Sequence, residues 1–140
     1  MITFRPIELE DKARVQRYTL DSARRNCDLS FVNLYSWRFL YLTQLAEKDG
    51  FLLVRFYVDN ELAYLMGQGD MKAIVEDLMA DADRQGAPFR LLGVCADMCD
   101  ELEQAFPGRF TFVSDRDYSD YIYLRSDLAT LRGKKFQAKR

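Results

Sequence analysis

The feature that most constrains the fold is a continuous apolar segment, Phe51 to Val58, which a second apolar segment follows after only two residues. Arg55 is the single charged residue in the first segment. Asp59-Asn60 has the composition of a tight two-residue turn, and Glu61 to Met66 then returns as the partner strand. The sequence therefore predicts a β-hairpin in the middle of the chain.

Apolar spacing predicts two prominent helices, one on each side of this hairpin. From Met71 to Ala82 the apolar residues recur at intervals of three and four and fall on one face, and Gly86 suits the left-handed residue after the helix. Phe31 to Glu47 is predicted as an apolar helix that Asp28 or Ser30 caps. Because apolar residues surround most of its girth, we expect this helix to be buried on more than one side.

Weaker patterns complete the predicted element order. Helices are predicted from Glu10 or Asp11 to about Ser22 and from Asp97 to Phe106. Four short strands are predicted as well: Ile2 to Ile7, Phe89 to Val94, Phe110 to Val113 and Ser119 to Arg125. The order β-α-α-β-β-α-β-α-β-β predicts a single α/β (α+β) domain with a mixed, mainly antiparallel sheet flanked by helices.

The absence of histidine limits the kinds of catalytic and metal site that the chain can form. Without histidine, the chain cannot contain a Ser-His-Asp or Cys-His nucleophile system, nor zinc held by imidazole. A general base within the chain must be Asp, Glu, Tyr, Lys, Cys or water. The three cysteines, Cys27, Cys95 and Cys99, form no C-x-x-C pair, so we expect buried core side chains and no metal site.

Charge and hydropathy indicate the surroundings of the protein. The net charge of −2 gives no general argument for nucleic-acid binding, and no apolar run is long enough to cross a bilayer, so we expect a cytoplasmic location. From Arg125 to Arg140, six basic residues accompany one acidic residue. This basic tail fits a solvated end or linker. The alternative is a contact with tRNA, anionic lipid or a cofactor phosphate, through Arg132, Lys134, Lys135, Lys139 and Arg140.

The best candidate ligand site is the junction Gly67, Gln68, Gly69 and Asp70, between a predicted strand and a predicted helix. Glycine lets the backbone approach a phosphate, and a helix N-terminus presents free N–H groups to an anion. Asp70 also fits an ordinary N-cap, whose carboxylate would accept those N–H groups and repel a pyrophosphate. A structural turn is therefore the alternative to a cofactor-binding loop.

A second group of candidate residues is a cluster of tyrosines. Tyr118, Tyr121 and Tyr123 surround Asp120 in a segment predicted to be a strand. A tyrosine can act as a general acid toward a leaving thiolate, so these residues are weak catalytic candidates. Aromatic residues are also favoured in strands for packing alone, which is the alternative interpretation.

A third group lies on the predicted apolar helix. Asn33 and Trp37 are four residues apart and so share a helix face, and Arg38 follows directly. A polar group on an apolar helix needs a partner, so these residues could line a substrate pocket. Completion of the core is the alternative.

The element order resembles the fold of the GNAT-type N-acetyltransferases. Three segments, Ser30 to Arg38, Arg116 to Tyr123 and Leu131 to Arg140, look like the N-terminal half of a bacterial family of unknown function that is related to the C-terminal domain of phosphatidylglycerol lysyltransferases. Those enzymes move an aminoacyl group from tRNA to a lipid, and the family's proteins contain two GNAT-like domains in tandem. The resemblance implies that residues 1–126 form the first domain and that residues 127–140 lead to a second domain in cis.

The resemblance also implies acylation of an amine or a hydroxyl, with acyl-CoA or aminoacyl-tRNA as the donor. Gly67 to Asp70 is a degenerate form of the Q/R-x-x-G-x-G/A loop of working acetyltransferases, and the predicted strands before the next helix are one too few. We therefore expect the N-terminal domain of an aminoacyl- or acyl-transferase that is not catalytically complete alone. The alternatives are a self-sufficient acetyl-CoA-dependent N-acetyltransferase and a non-catalytic module that binds tRNA or anionic lipid.

Overall fold

The predicted hairpin lies at the centre of the fold. The computed structural model describes residues 1–20, 26–67 and 70–133, and in it Phe51–Val58 pairs antiparallel with Glu61–Met66. Asp59 and Asn60 connect the two strands with φ angles of 52° and 64°. Two successive positive φ angles give the turn a twist that suits adjacent strands. The hairpin prediction is confirmed.

The hairpin belongs to a four-stranded antiparallel sheet. Its strands are β1 (Arg5–Pro6), β2 (Gln44–Lys48), β3 (Phe51–Val58) and β4 (Glu61–Met66), and their spatial order follows their order in the chain. Val54 lies opposite Leu45 on one side and Leu65 on the other. The predicted first strand, Ile2 to Ile7, is reduced to the two residues of β1. The predicted α+β, GNAT-like class of fold is confirmed.

Six α-helices are found in the described residues: α1 (Lys12–Thr19), α2 (Phe31–Ser36), α3 (Arg38–Tyr41), α4 (Met71–Arg84), α5 (Ala96–Ala105) and α6 (Arg125–Thr130). Single turns of 3-10 helix occur at Leu9–Asp11, Cys27–Leu29 and Arg116–Tyr118. In α1, Val15 is buried and Tyr18 is half-buried, and Ser22, the predicted end of this helix, lies outside the described residues. None of the helices in the described ranges is long and apolar enough to cross a membrane.

Both faces of the hairpin are buried, which explains its continuous apolar sequence. Leu53 and Tyr64 belong to a core cluster that includes residues of α4 and α5. Leu52 and Val54 belong to a second cluster that includes residues of α1 and α2. Because successive residues of a strand point to opposite faces, one apolar strand supplies both clusters.

The predicted face of α4 is confirmed. The helix buries the residues at its three- and four-residue intervals, and these are Met71, Ile74, Val75, Leu78 and Ala82. Gly86 follows the helix with a φ angle of 67°, a conformation that glycine adopts without steric cost. The amphipathic pattern therefore places α4 on the sheet and ends it at the expected residue.

The predicted helix from Phe31 to Glu47 is wrong in its second half. Leu42 follows α3 in a left-handed conformation, with φ 49° and ψ 41°, which ends the helical segment. The chain then forms β2, in which Leu45 and Ala46 are buried. Pairing with β3 satisfies the backbone of this segment and covers its apolar side chains, so it outweighs the helical spacing. This strand is the one that the sequence analysis counts as missing.

Three further predicted strands are absent from the sheet. Phe89 to Val94 makes one parallel bridge, between Leu91 and Tyr64, instead of a ladder. Phe110 to Val113 and Ser119 to Arg125 lie in no strand of the described part of the chain, and Arg125 begins α6. A strand needs a neighbouring strand, which aromatic or β-branched composition alone does not supply.

A buried ionic cluster joins β2, β3, β4 and α4. Asp81 is only 3% exposed, and its carboxylate accepts hydrogen bonds from Arg55 at 2.8 Å, Tyr64 at 2.8 Å and Arg84 at 3.1 Å. Arg55 also donates to Gln44 in β2. Burial, together with the bond to Asp81, raises the pKa of the Tyr64 phenol, so the phenol remains a proton donor. Arg55, the charged residue that interrupts the apolar strand, therefore has hydrogen-bond partners on β2 and α4.

Replacing Asp81 with asparagine should strongly reduce the free energy of unfolding. The variant leaves Arg55 in the core without its carboxylate, and loss of one partner of a buried ion pair costs roughly 3–5 kcal/mol. Asp77→Asn is the matched control on the same helix, because Asp77 pairs with Lys48 in a partly exposed position. Its expected cost is at most about 1 kcal/mol. Urea unfolding of both variants measures the difference, and equal losses would contradict a dominant role for the cluster.

Candidate functional site

The candidate ligand site lies near the carboxyl end of β4. There the Tyr64 N–H donates to the Arg90 carbonyl oxygen and the Leu92 N–H donates to the Tyr64 carbonyl oxygen, both at 2.9 Å, in a parallel arrangement. Gly67 to Asp70 then connects β4 to α4. Carboxyl ends of parallel strands beside a helix N-terminus offer backbone N–H groups to an anionic ligand. The loop therefore occupies a place suited to an anion.

Asp70 is the N-cap of α4, as the sequence predicts. Its carboxylate accepts a hydrogen bond from the Lys72 N–H at 3.1 Å. This bond uses one of the free donors at the helix N-terminus, and the carboxylate charge opposes a second anion nearby. The geometry at Asp70 therefore fits a structural turn. Gln68 and Gly69 lie outside the described residues, so their cofactor-binding role stays a prediction.

Gly67 could accept a Cβ without a clash with the described residues. A Cβ added to Gly67 would lie 3.9 Å from the Leu52 carbonyl oxygen, which is an ordinary van der Waals contact. The Gly67 N–H donates to the same oxygen at 3.2 Å. Crowding by the described residues therefore does not require a glycine at this position, and the missing side chain leaves room for a ligand to approach the backbone.

Gly93 is a constrained position that the sequence analysis missed. Its φ angle is 65°, and an added Cβ would lie 2.5 Å from Asn26 Nδ2 and 2.7 Å from Leu65 Cδ2. The Asn26 side-chain amide donates to the Gly93 carbonyl oxygen at 3.3 Å. A lone glycine within an apolar run, as in residues 91–94, is the sequence signal for such a close approach. This contact fixes the path of the chain after the parallel bridge.

The predicted tyrosines lie on an exposed extension, residues 111–124, which we name the C-terminal arm. Every residue of the arm is exposed. Tyr118 is 76% exposed and Tyr121 is 85% exposed, and Tyr123 is more covered. Exposure of this degree leaves Tyr118 and Tyr121 outside any pocket of the described chain. Their role as general acids stays a prediction.

A hydrogen bond connects the arm to the 3-10 turn that begins at Cys27. Asp120 Oδ2 accepts it from the Cys27 N–H at 3.0 Å. The Asp120 carboxylate, followed by burial and the charge of Asp28, raises the pKa of the Cys27 thiol to about 12. A thiol with so high a pKa is a poor nucleophile at neutral pH. The reactivity of the Cys27 thiol therefore depends on its contact with the arm, and the thiol is unsuited to covalent catalysis.

Cysteine burial differs from the prediction. Cys27 is exposed, because it begins a single 3-10 turn that buries Leu29 instead, so the expectation of a core side chain is wrong there. Cys95 and Cys99 are half-buried, and burial raises the pKa of the Cys99 thiol. Within the described ranges, no three His, Cys, Asp or Glu side chains are grouped as a metal site would need.

The predicted pocket residues contact their own helical segment. Asn33 Nδ2 donates to Asp28 Oδ1 at 3.1 Å. The Arg38 guanidinium lies 3.7 Å from the Tyr35 ring centroid and donates to the Tyr35 carbonyl oxygen at 2.6 Å. Trp37 is about half exposed. These contacts give Asn33 and Arg38 structural partners, and a substrate pocket formed with Trp37 stays a prediction.

A cavity of about 240 Å³ lies elsewhere, and the sequence analysis missed it. Residues around β1, β2 and α1 line it: Thr3, Arg5, Arg14, Leu45, Ala46 and Glu47. Its basic groups are already paired, Arg5 with Asp11 at 2.8 Å and Arg14 with Glu47 at 2.7 Å. The hydrogen bond from Arg5 holds the pKa of the Asp11 carboxyl below its usual value. Because these charges compensate each other, the cavity has little attraction for a charged ligand.

Four of the six basic residues of the tail lie outside the described residues. Arg132 is described and exposed. Lys134, Lys135, Lys139 and Arg140 belong to the part of the chain whose structure is not described. Their contact with tRNA, anionic lipid or a cofactor phosphate therefore stays a prediction.

Two comparisons with known proteins found a match to this chain. A family model described as the C-terminal domain of phosphatidylglycerol lysyltransferase matches residues 20–140. The crystal structure of a conserved protein of unknown function from Bacteroides thetaiotaomicron VPI-5482 is similar, with 55% sequence identity and a TM-score of 0.90. That match covers 99% of this chain and 48% of the other, so this chain spans about half the length of the solved relative. None of the curated proteins matches the sequence significantly.

Removing the charge of Asp120 should make Cys27 more reactive. In Asp120→Asn the thiol loses the group that raises its pKa most, so its thiolate fraction at pH 9 increases, by about tenfold for each unit that the pKa falls. Peptide-resolved mass spectrometry of alkylation by iodoacetamide measures the rate, with Cys95 and Cys99 as internal references. Asp117→Asn, which alters a neighbouring carboxylate of the arm, is the control. An unchanged rate at Cys27 in Asp120→Asn would contradict the contact between the arm and the domain.

Proposed function

This chain belongs to the phosphatidylglycerol lysyltransferase C-terminal family, and from that premise we propose that it is the GNAT-like N-terminal domain of an aminoacyl- or acyl-transferase. In this proposal residues 1–126 form the domain and residues 127–140 lead to a second GNAT-like domain in cis. The domain is not catalytically complete alone. Its role is to supply one side of a transfer site that the second domain completes.

The observations that carry the proposal are the occupied donor at the N-terminus of α4 and the exposure of the candidate tyrosines. Gly67 could accept a Cβ without a clash with the described residues, but Asp70 already accepts a hydrogen bond from a donor at the helix N-terminus. The tyrosines that could move a proton lie on the exposed C-terminal arm. A transfer site needs donors and a proton-transfer group within hydrogen-bond distance of one reacting atom. Groups from a second domain would complete that arrangement, and the solved relative has about twice the length of this chain.

The proposed chemistry is acyl transfer to an amine. The amine nitrogen attacks the carbonyl carbon of an aminoacyl ester or a thioester, and a bond forms between nitrogen and carbon. The carbonyl oxygen carries the negative charge of the intermediate, which a backbone N–H stabilises. The bond from carbon to the donor oxygen or sulfur then breaks, the leaving group takes a proton, and the amine loses one. Tyr118 is a candidate acid for the leaving group, since a phenol can donate such a proton.

The 140-residue chain should not bind acetyl-CoA by itself. We expect no change in Tm with acetyl-CoA at about 1 mM, the upper end of usual substrate KM values. A ligand at one hundred times its Kd would stabilise the chain by about 2.7 kcal/mol, so binding would be readily seen. Gly67→Ala is the matched variant, because its Cβ meets only an ordinary contact. A rise in Tm that Gly67→Ala abolishes would contradict the proposal and favour a self-sufficient acetyltransferase.

The protein isolated from its own cells should be longer than this chain. Intact mass spectrometry should give a mass well above 16.4 kDa, the mass of the 140 residues. Transfer of a labelled aminoacyl or acyl group to an amine should occur with the isolated protein and be absent from the 140-residue chain. A mass of 16.4 kDa, or equal transfer by the two proteins, would overturn the tandem-domain proposal.

A further inference from the structure

The C-terminal arm exposes several large apolar side chains to water. Residues 111–126 are all exposed. The side chains of Tyr121, Ile122 and Leu124 are 85%, 63% and 67% exposed. Contiguous exposed apolar patches mark surfaces that contact another molecule or domain. The arm therefore has the character of an interface.

Two residues of the arm have extended backbone angles. Ser119 has φ −80° and ψ 131°, and Leu124, the N-cap of α6, has φ −70° and ψ 140°. In the described ranges, residues 119–122 take part in no β-ladder. A segment outside a ladder can pair with another strand through its N–H and C=O groups. The ends of this segment therefore have backbone angles from which a strand could form.

The residue pattern of the arm fits a strand that is covered on both faces. Tyr121 and Tyr123 share one face of an extended chain, and Ile122 and Leu124 share the other with Asp120, which lies at the end that is bound to Cys27. Aromatic and β-branched residues are favoured in strands, and apolar residues on both faces are typical of strands inside a sheet. A bilayer surface would cover only one face and would leave the backbone groups unsatisfied. The pattern therefore favours a protein sheet as the partner.

The arm leaves the domain from a fixed point. Asp120 accepts its hydrogen bond from the Cys27 N–H at the start of the segment, so this end of the arm is held against the 3-10 turn. The match with the solved relative covers 99% of this chain at a TM-score of 0.90, so it includes the arm. That relative has about as many residues again beyond the match. The solved relative therefore has further chain outside the match that could cover such a segment.

From these observations, and resting on the proposed second domain in cis, we propose that residues 119–124 form a strand in the sheet of that second domain. The strand pairs through its backbone, and its two apolar faces are buried in the second core. Addition of a strand to the sheet of the second domain joins the two domains more firmly than a contact of side chains alone, because the pairing fixes register as well as position.

Hydrogen exchange tests the pairing directly. The amides of residues 119–124 should exchange rapidly in the 140-residue chain and at least about tenfold more slowly in the longer protein isolated from its cells. Rapid exchange of these amides in the longer protein would overturn the strand pairing but leave the tandem-domain proposal intact. Protection in the 140-residue chain that increases with protein concentration would also overturn it, because a second copy would then be the partner.

A charged residue on one face of the proposed strand tests its burial independently, through the Tm of the protein. Ile122→Asp should lower the Tm of the longer protein by at least about 5 °C and shift that of the 140-residue chain by less than about 2 °C. Val32→Asp is the matched control, because Val32 is also β-branched and 71% exposed but lies on α2. It should shift both Tm values by less than about 2 °C. A small shift for Ile122→Asp in the longer protein would overturn the inference. A natural protein of 16.4 kDa would instead overturn the proposed function itself.

Discussion

The rest of the structure depends on the way Tyr64 is held by three elements at once. Its phenol donates to Asp81 of α4, its backbone exchanges hydrogen bonds with residues 90 and 92, and it lies opposite Arg55 in the hairpin. These contacts fix α4 relative to the sheet, and so they fix the helix N-terminus at Asp70. The candidate ligand loop is therefore positioned by a buried polar interaction in the core.

The same interaction specifies strand register. Arg55 lies on the face of β3 that packs against α4, where Asp81 accepts its hydrogen bond. A slip of one residue would carry the guanidinium into the cluster formed with α1 and α2, which contains Leu52 and Val54. A buried ion pair adds little net stability compared with apolar residues, but breaking it is costly. We therefore regard the pair as a device that selects one register of an otherwise apolar hairpin.

The core is complete without the C-terminal arm, and this gives the arm its significance. Both faces of the hairpin are already covered by helices, so the tyrosines of the arm have no place in either cluster. Asp120 nonetheless anchors the arm at Cys27. The sheet of this domain is already covered, and the tyrosine-rich segment remains outside its core. Such a domain is suited to work with a second domain. This is why the proposed transfer function and the proposed strand pairing both involve the C-terminal arm.

The sequence by itself determined the β3–β4 hairpin, the buried face of α4 and the N-cap at Asp70, because turn residues, apolar spacing and capping act over only a few positions. It also supported the GNAT-like class of fold. Only the tertiary structure decided that residues 44–48 pair as a strand, since a short apolar run such as Leu45-Ala46 suits either a helix or a strand. It alone showed the contact of Gly93 with Asn26, which joins residues 67 positions apart. It also left residues 119–124 outside the sheet, because strand composition creates a preference, whereas a strand exists only where a neighbour pairs with it.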